Sequence, residues 1–225
     1  MPHSRILLED ALALTRTGDL WLFRGHVAAD RAIQTATNSP VNHVGMAVVL
    51  EDLPPLMWHA DLGRSLVDIW SGTRQRGVQL HDLADAAGVW MGRYGQRAWL
   101  RQLNHPVTAE MEDALLRVIA RLDGTPFPST ARLASRWVRG RIPLPKWALP
   151  NRAGHDRAGH DRAERDSGLE TAYCAEVVAV TLEEMGLLPT KRQPNWYDPG
   201  LFWSGDHLRL TAGYDLGGEI AIQPT

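Results

Sequence analysis

The chain has 225 residues, of which 44% are hydrophobic and 22% charged, a balance that suits one globular domain with a continuous core. Its formal net charge of -2 and its sequence pI near 6.5 give no basic field, so neither nucleic acid nor an anionic membrane surface is an expected partner. No uncharged apolar run of about 20 residues occurs, which excludes a predicted membrane span.

The N-terminal residues and the cysteine content favour the cytoplasm. Glu9 and Asp10 interrupt the first apolar stretch, and no small-residue cleavage site follows it, so a standard secretion signal is not expected. The single cysteine cannot form an internal disulfide. Core packing must therefore hold the fold, which fits a reducing compartment.

The first half of the chain carries strand signals separated by turn residues. Residues 18–24 (GDLWLFR) predict a first strand, and residues 26–37 a short helix that Asn38-Ser39-Pro40 ends. Residues 43–50 (HVGMAVVL) form a nearly unbroken apolar run, typical of a strand buried on both faces. Further strands are predicted over residues 56–60, 64–70 and 96–103. This pattern indicates an antiparallel meander.

The second half adds two helices and a polar insertion to the single predicted domain, residues 1–225. Apolar side chains at helical spacing predict a helix over residues 109–123, with Thr108 as its cap and Gly124 after its end. Residues 150–168 contain a five-residue polar repeat (RAGHD, RAGHD, RAERD), which predicts a low-complexity surface loop. A helix over residues 171–185 should follow, and an aromatic-rich tail should end in a last strand.

Cys174 is the first candidate catalytic residue. It lies in TAYCAEVV, within the first turn of the predicted helix over residues 171–185, where free backbone amides and the helix dipole favour a thiolate. A lone cysteine is more often a small buried hydrophobic residue, and reactivity also needs a charged neighbour. The position therefore makes Cys174 a candidate nucleophile and requires a base beside it.

His43 and His59 are the candidate partners. His43 opens the buried strand and could reach a helix N-terminus from there, although a structural histidine is the ordinary alternative. If the strands at residues 43–50 and 56–60 form a hairpin, His59 can hydrogen-bond the second ring nitrogen of His43 and fix its tautomer. A half-buried strand position beside Trp58 explains His59 equally well.

The order of these motifs resembles the permuted papain-like branch of the NlpC-type superfamily, which includes bacterial amidases and is related to lecithin:retinol acyltransferase. The resemblance rests on GDLWLF, then SPVNHVGMAVV, then a polar residue one strand later, then YCAEVV on a late helix. It implies an α+β papain-like fold with an antiparallel sheet packed against the cysteine helix. It also implies Cys174 as nucleophile, His43 as base and His59 as the third catalytic residue, a position where many permuted amidases have Glu.

The resemblance implies a cysteine amidase or peptidase that cleaves an acyl-amide bond through a thioester, with no cofactor. The backbone amide of Cys174 would stabilise the oxyanion, and Tyr173 is a second candidate donor whose packing role is at least equally well supported. Peptidoglycan fragments or peptide conjugates are the substrates considered. The oligomeric state is not predicted.

Three alternatives stay open at this point. The first is a thioester acyltransferase acting on lipid-like substrates, and the second is a non-catalytic binding domain of the same fold. The third is a zinc site in which the histidines and Cys174 share a metal ion, which would quench the nucleophile.

Overall fold

The computed structural model describes residues 5–25, 39–61, 63–126, 167–204, 208–211 and 213–224, with the backbone alone for residues 167–172. The described strands are β1 (Arg5–Leu7), β2 (Leu20–Arg24), β3 (His43–Val48), β4 (Leu56–Asp61), β5 (Gly77–Asp82), β6 (Arg97–Arg101) and β7 (Ile220–Gln223). The described helices are α1 (Leu8–Leu14), α2 (Leu83–Gly88), α3 (Ala109–Leu122) and α4 (Ser167–Glu184). A π-helical turn, Val89–Arg93, follows α2 directly, and short 3-10 turns lie at Pro194–Trp196 and Pro199–Phe202.

The described strands form one mixed sheet in the order β1-β7-β6-β2-β3-β4-β5. Strands β2 to β5 form an antiparallel meander, in which β2, β3 and β4 are predicted strands and β5 is not. Strands β6 and β7 continue the antiparallel pairing on the other side of β2. At the edge, β1 pairs with β7 in parallel. The fold is therefore α+β, and the prediction of a wholly antiparallel sheet is wrong at this edge.

Alternating side chains divide the sheet into two buried faces. We call one the α4 face: it carries Val44, Met46 and Val48 of β3, which share a core cluster with side chains of α3 and α4. We call the other the α2 face: it carries Ala47 of β3 and Met57 of β4, which pack with side chains of α2 and the π-helical turn. Because both faces are covered, β3 and β4 are buried along their whole length.

A buried hydrogen bond holds α4 against the middle of the sheet. The indole Nε1 of Trp58 on β4 donates to Thr181 Oγ1 on α4 over 3.0 Å, and Thr181 Oγ1 donates to the Val177 carbonyl one turn earlier over 2.8 Å. Both Trp58 and Thr181 have no exposed surface. Trp58 therefore points to the α4 face, and its strand neighbours Met57 and His59 point to the α2 face.

Several predicted elements are present with small changes in their ends. The strands predicted at residues 18–24, 43–50, 56–60 and 96–103 correspond to β2, β3, β4 and β6. The helix predicted at residues 109–123 is α3, where the Thr108 side chain accepts from the Met111 amide and Gly124 adopts φ 70°. The predicted helix at residues 26–37 lies outside the described residues, as do residues 150–166 of the loop predicted at residues 150–168. The loop prediction is wrong for residues 167 and 168, which belong to α4.

The strand predicted at residues 64–70 is wrong. The Asp68 carboxylate accepts hydrogen bonds from the Ser71 amide and from the Leu80 amide, each over 2.8 Å, so the chain turns back at this point. An aspartate that binds backbone amides a few residues onward stabilises a turn in preference to an extended strand. The strand of this region is β5 instead, which the sequence reading missed.

Candidate active site

A row of three buried histidines crosses β3, β4 and β5 on the α2 face. His43 Nε2 lies 3.1 Å from His59 Nδ1, and His59 Nε2 lies 2.9 Å from His81 Nδ1. The row ends at Gln79, whose Oε1 lies 3.1 Å from His81 Nε2. The structure thus brings His43 and His59 together as neighbours on an antiparallel hairpin, and it adds His81 and Gln79 behind them. We call these four side chains the histidine row.

Strand register explains the spacing of the row. Met46 pairs with Trp58, which places Gly45 opposite His59, and His59 in turn pairs with Gln79 on β5. A Cβ atom on Gly45 would lie 2.6 Å from Met57 Sδ and 3.4 Å from His59 Cβ. The absence of a side chain at Gly45 therefore leaves room for the β4 side chains that pack over β3.

Trp90 closes the row from the α2 face. Its ring centroid lies 4.8 Å from that of His43 and 5.0 Å from that of His59, with both imidazoles at steep angles to the indole. Trp90 belongs to the π-helical turn, a distortion that is frequent at functional sites. The indole covers both rings and excludes water between them, while His43 keeps 7% of its surface exposed and His59 none. Access from solvent is therefore greatest at the His43 end.

Burial makes these imidazoles neutral at ordinary pH. It lowers the pKa of His43 to about 4, although the nearby Asp61 carboxylate acts in the opposite direction. Burial also lowers the pKa of His59, and the neighbouring His81 and His43 add to that effect. The pKa of His81 is lowered by burial against the opposing charges of Asp61 and Asp68. Each ring then has one N–H donor and one acceptor nitrogen.

Cys174 lies elsewhere in the fold. It is fully buried and belongs to the core cluster of the α4 face, whereas the rings of His43 and His59 pack on the α2 face. The structure therefore does not bring the predicted nucleophile and its predicted base together, because the sheet itself lies between them. Tyr173 is 5% exposed and belongs to the same cluster as Cys174.

The predicted position of Cys174 in the first turn of a helix is wrong. Helix α4 is described from Ser167 onward, so Cys174 is its eighth described residue. At that depth a backbone amide donates to the carbonyl four residues before it, and the free amides of the first turn lie further back. The amide of Cys174 is therefore not among the free amides of the first turn, so the oxyanion role predicted for its backbone has no geometric support, whereas the oxyanion role of Tyr173 stays a prediction.

Three residues of this site are not predicted from the sequence, namely Gln79, His81 and Trp90. The segment GVQLHD alternates between apolar and polar side chains with a period of two, as a half-polar strand does. Reading it as a strand would have placed Gln79 and His81 on one face, next to His59. The tryptophan gave no such signal, because its position depends on a local π-helical turn.

The zinc alternative receives no geometric support from the part of the chain that the structure describes. No group of three or more His, Cys, Asp or Glu side chains there could hold a metal ion. The three histidines form a line in which ring nitrogens face each other, whereas a zinc site needs ligands that converge on one point.

Among the described helices, none combines the length and apolar character needed to cross a bilayer.

Comparison with known proteins leaves the family open. No family model matches the chain, and no curated protein does. Among solved structures, the chain is similar to the metalloprotein YiiX from Escherichia coli O157:H7, a DUF1105 protein, with 19% sequence identity and a TM-score of 0.44. The match covers 76% of this chain and 66% of the YiiX chain, slightly less than two thirds of its length. A likeness at this level transfers neither fold nor function.

Proposed function

We propose that the protein is a cysteine hydrolase that cleaves an acyl-amide bond, with Cys174 as nucleophile, His43 as base and His59 as the residue that orients the base. The observation that carries the proposal is the hydrogen bond between His43 Nε2 and His59 Nδ1. This hydrogen bond fixes the orientation of the His43 imidazole and leaves His43 Nδ1 as the nitrogen for proton transfer. A general base and the residue that orients it require this arrangement. The order of histidine strand, second histidine strand and cysteine helix supports the finer proposal of a permuted papain-like fold.

The proposed reaction proceeds in two balanced steps. His43 Nδ1 accepts the thiol proton, the Cys174 sulfur bonds to the carbonyl carbon, and the amine leaves with the proton from His43 as the C–N bond breaks. Water then gives a proton to Nδ1 and attacks the thioester. The acid leaves, and the sulfur recovers its proton. A neutral His43 is the form that can begin this cycle, and its lowered pKa supplies that form at pH 7.

The reaction places a condition on α4. The sulfur must come within hydrogen-bonding range of His43 Nδ1, whereas in the described arrangement Cys174 is buried on the α4 face. Because His43 is the first residue of β3, catalysis requires the N-terminal half of α4 to rearrange around that end of the sheet, so that Cys174 reaches His43 without crossing the strands. An acyltransferase would use the same first step and an amine or alcohol in place of water, so product analysis with each acceptor separates the two reactions.

Variant kinetics on a fluorogenic N-acyl amide test the proposal. We expect Cys174→Ser to abolish hydrolysis and His43→Ala to lower kcat/KM by roughly 10²- to 10⁴-fold, the range for losing a general acid–base group. His105→Ala is the matched control, because His105 is exposed and outside the histidine row. Mass spectrometry of the quenched reaction should find the acyl group on Cys174. Full activity in Cys174→Ser would exclude the thioester route.

A non-catalytic binding domain is the second candidate, and the burial of Cys174 on the opposite face favours it. Iodoacetamide labelling at pH 6 distinguishes the two. An activated thiolate that becomes accessible reacts faster than a free thiol at this pH, whereas a permanently buried thiol reacts more slowly. Labelling only after addition of denaturant, together with no turnover of any acyl amide or ester, would favour the binding domain.

A further inference from the structure

Gln79 lies at the fully buried end of the histidine row, next to His81 and opposite the His43 end. Its contacts determine which way its side-chain amide points. Its Nε2 lies 3.3 Å from the Asp61 carbonyl oxygen and 3.4 Å from the Gly77 carbonyl oxygen. Only the NH₂ group can donate to these two acceptors, since a flipped amide would place its oxygen against both carbonyls. The amide oxygen therefore faces His81 Nε2, at 3.1 Å.

This orientation fixes every proton along the row. Because Gln79 Oε1 can only accept, His81 must carry its proton on Nε2, which leaves Nδ1 as an acceptor. His59 must then donate from Nε2 to His81 Nδ1, over 2.9 Å, and accept at its own Nδ1. His43 must in turn donate from Nε2 to His59 Nδ1, over 3.1 Å. The result is an unprotonated Nδ1 on His43, the most exposed of the three histidines.

We propose that Gln79 and His81 are positioning residues that set the direction of the histidine row and thereby hold His43 with its Nδ1 lone pair ready to accept a proton. Neither residue touches the substrate. They act through His59, so the row extends the predicted pair of histidines by two side chains. The catalytic role of this proton arrangement rests on the proposed function, whereas the proton positions follow from the hydrogen-bond contacts alone.

Because the row is buried, reversing the direction of its hydrogen bonds would cost free energy. Gln79 and His59 have no exposed surface and His81 has 1%, so water cannot supply a substitute donor or acceptor at these positions. Reversing the protons would set the His81 acceptor nitrogen against the Gln79 oxygen and leave that pair unsatisfied, and a buried unsatisfied group costs about 1–3 kcal/mol. That energy corresponds to roughly a 5- to 150-fold preference for the described direction.

Histidine side-chain NMR tests the proposal without any substrate. A ¹⁵N-labelled protein at pH 7.5 should show His43, His59 and His81 all protonated at Nε2 and unprotonated at Nδ1, with assignments made from single His→Gln variants. In Gln79→Leu, which removes the acceptor, the Nε2-protonated population of His81 should fall from nearly complete to a mixture. The exposed Gln223→Leu is the matched control and should leave all three tautomers unchanged.

Gln79→Glu provides the rescue in its neutral form, since one carboxyl oxygen can accept from His81 Nε2 while the protonated oxygen donates to the Asp61 carbonyl in place of the amide group, and it should restore the Nε2 tautomers. For the proposed reaction, Gln79→Leu should lower kcat/KM by roughly 10- to 100-fold, the usual cost of losing an orienting partner. The rescue keeps the test informative if Gln79→Leu folds poorly.

The outcomes separate this inference from the proposed function. Any of the three histidines protonated at Nδ1 in the wild-type protein would overturn the inference, as would unchanged tautomers in a folded Gln79→Leu variant. Tautomers as expected in a protein that hydrolyses no acyl amide or ester would support the inference and refute the proposed function. Hydrolysis that depends on Cys174 in a protein with reversed tautomers would do the opposite.

Discussion

Acidification should destabilise this fold through His43. The folded-state pKa of His43 is lowered from the usual 6.5 to about 4, mainly by burial. Between these two pH values the unfolded chain binds a proton on this imidazole that the folded chain does not bind. The free energy of unfolding therefore falls as the pH falls from about 6.5 to about 4, and the contribution is fully present above pH 6.5.

The size of the effect follows from the shift. A difference of about 2.5 pKa units between 6.5 and about 4 corresponds to roughly 3 kcal/mol. Most of it, about 2–3 kcal/mol, should be lost by pH 4.5, which for a domain of this size lowers Tm by about 5–10 °C. The lowered pKa values of His59 and His81 act in the same direction.

Asp123 opposes this trend and determines the design of the assay. Burial and the neighbouring Asp68 raise the pKa of Asp123 from 3.8 to about 7, so the folded chain binds a proton there that the unfolded chain does not. This contribution stabilises the fold as the pH falls from 7 toward 4. The wild-type profile alone therefore mixes two effects of opposite sign, and a variant is needed to separate them.

Urea denaturation of wild type and His43→Gln at pH 7.5, 6.0 and 4.5 isolates the histidine. Gln keeps an amide donor for His59 and cannot be charged, so the stability difference between the two proteins should shrink by about 2–3 kcal/mol from pH 7.5 to 4.5. The exposed His105→Gln should follow the wild type at every pH. Parallel losses in wild type and His43→Gln would refute the argument that His43 is buried in its neutral form.

Three further outcomes follow from buried contacts. Thr181→Val removes the acceptor of the Trp58 indole, so the free energy of unfolding in urea should fall by about 1–3 kcal/mol, whereas Thr181→Ser should keep most of it. Asp123→Asn removes the repulsion from Asp68 and should raise stability at pH 8.5 by about 1 kcal/mol after allowance for solvent screening, with no gain at pH 5; an equal gain at both pH values would contradict this. Trp90→Ala should let water reach His43 and raise its pKa toward 6.5, measured by NMR titration; an unchanged pKa would show that other groups keep the ring dry.

Local patterns in the sequence predicted most of the central elements. Helix α3 has apolar side chains at helical spacing, a capping threonine and a glycine after its end, all of which act within a few residues. The apolar run that starts at His43 predicted β3, and its proximity to the next strand predicted the hairpin that brings His59 to His43. These features depend on neighbours in the chain, so the sequence alone contains them.

The tertiary structure decided which face each functional side chain occupies. A strand shows which residues share a face, but not which helix will cover that face, because that choice depends on the packing of segments far apart in the chain. Cys174 is therefore buried on the α4 face of the sheet, whereas Trp90 covers the histidines on the α2 face. The extension of the row to His81 and Gln79 likewise depends on the register between β4 and β5, which β5 acquires only by pairing with its neighbour.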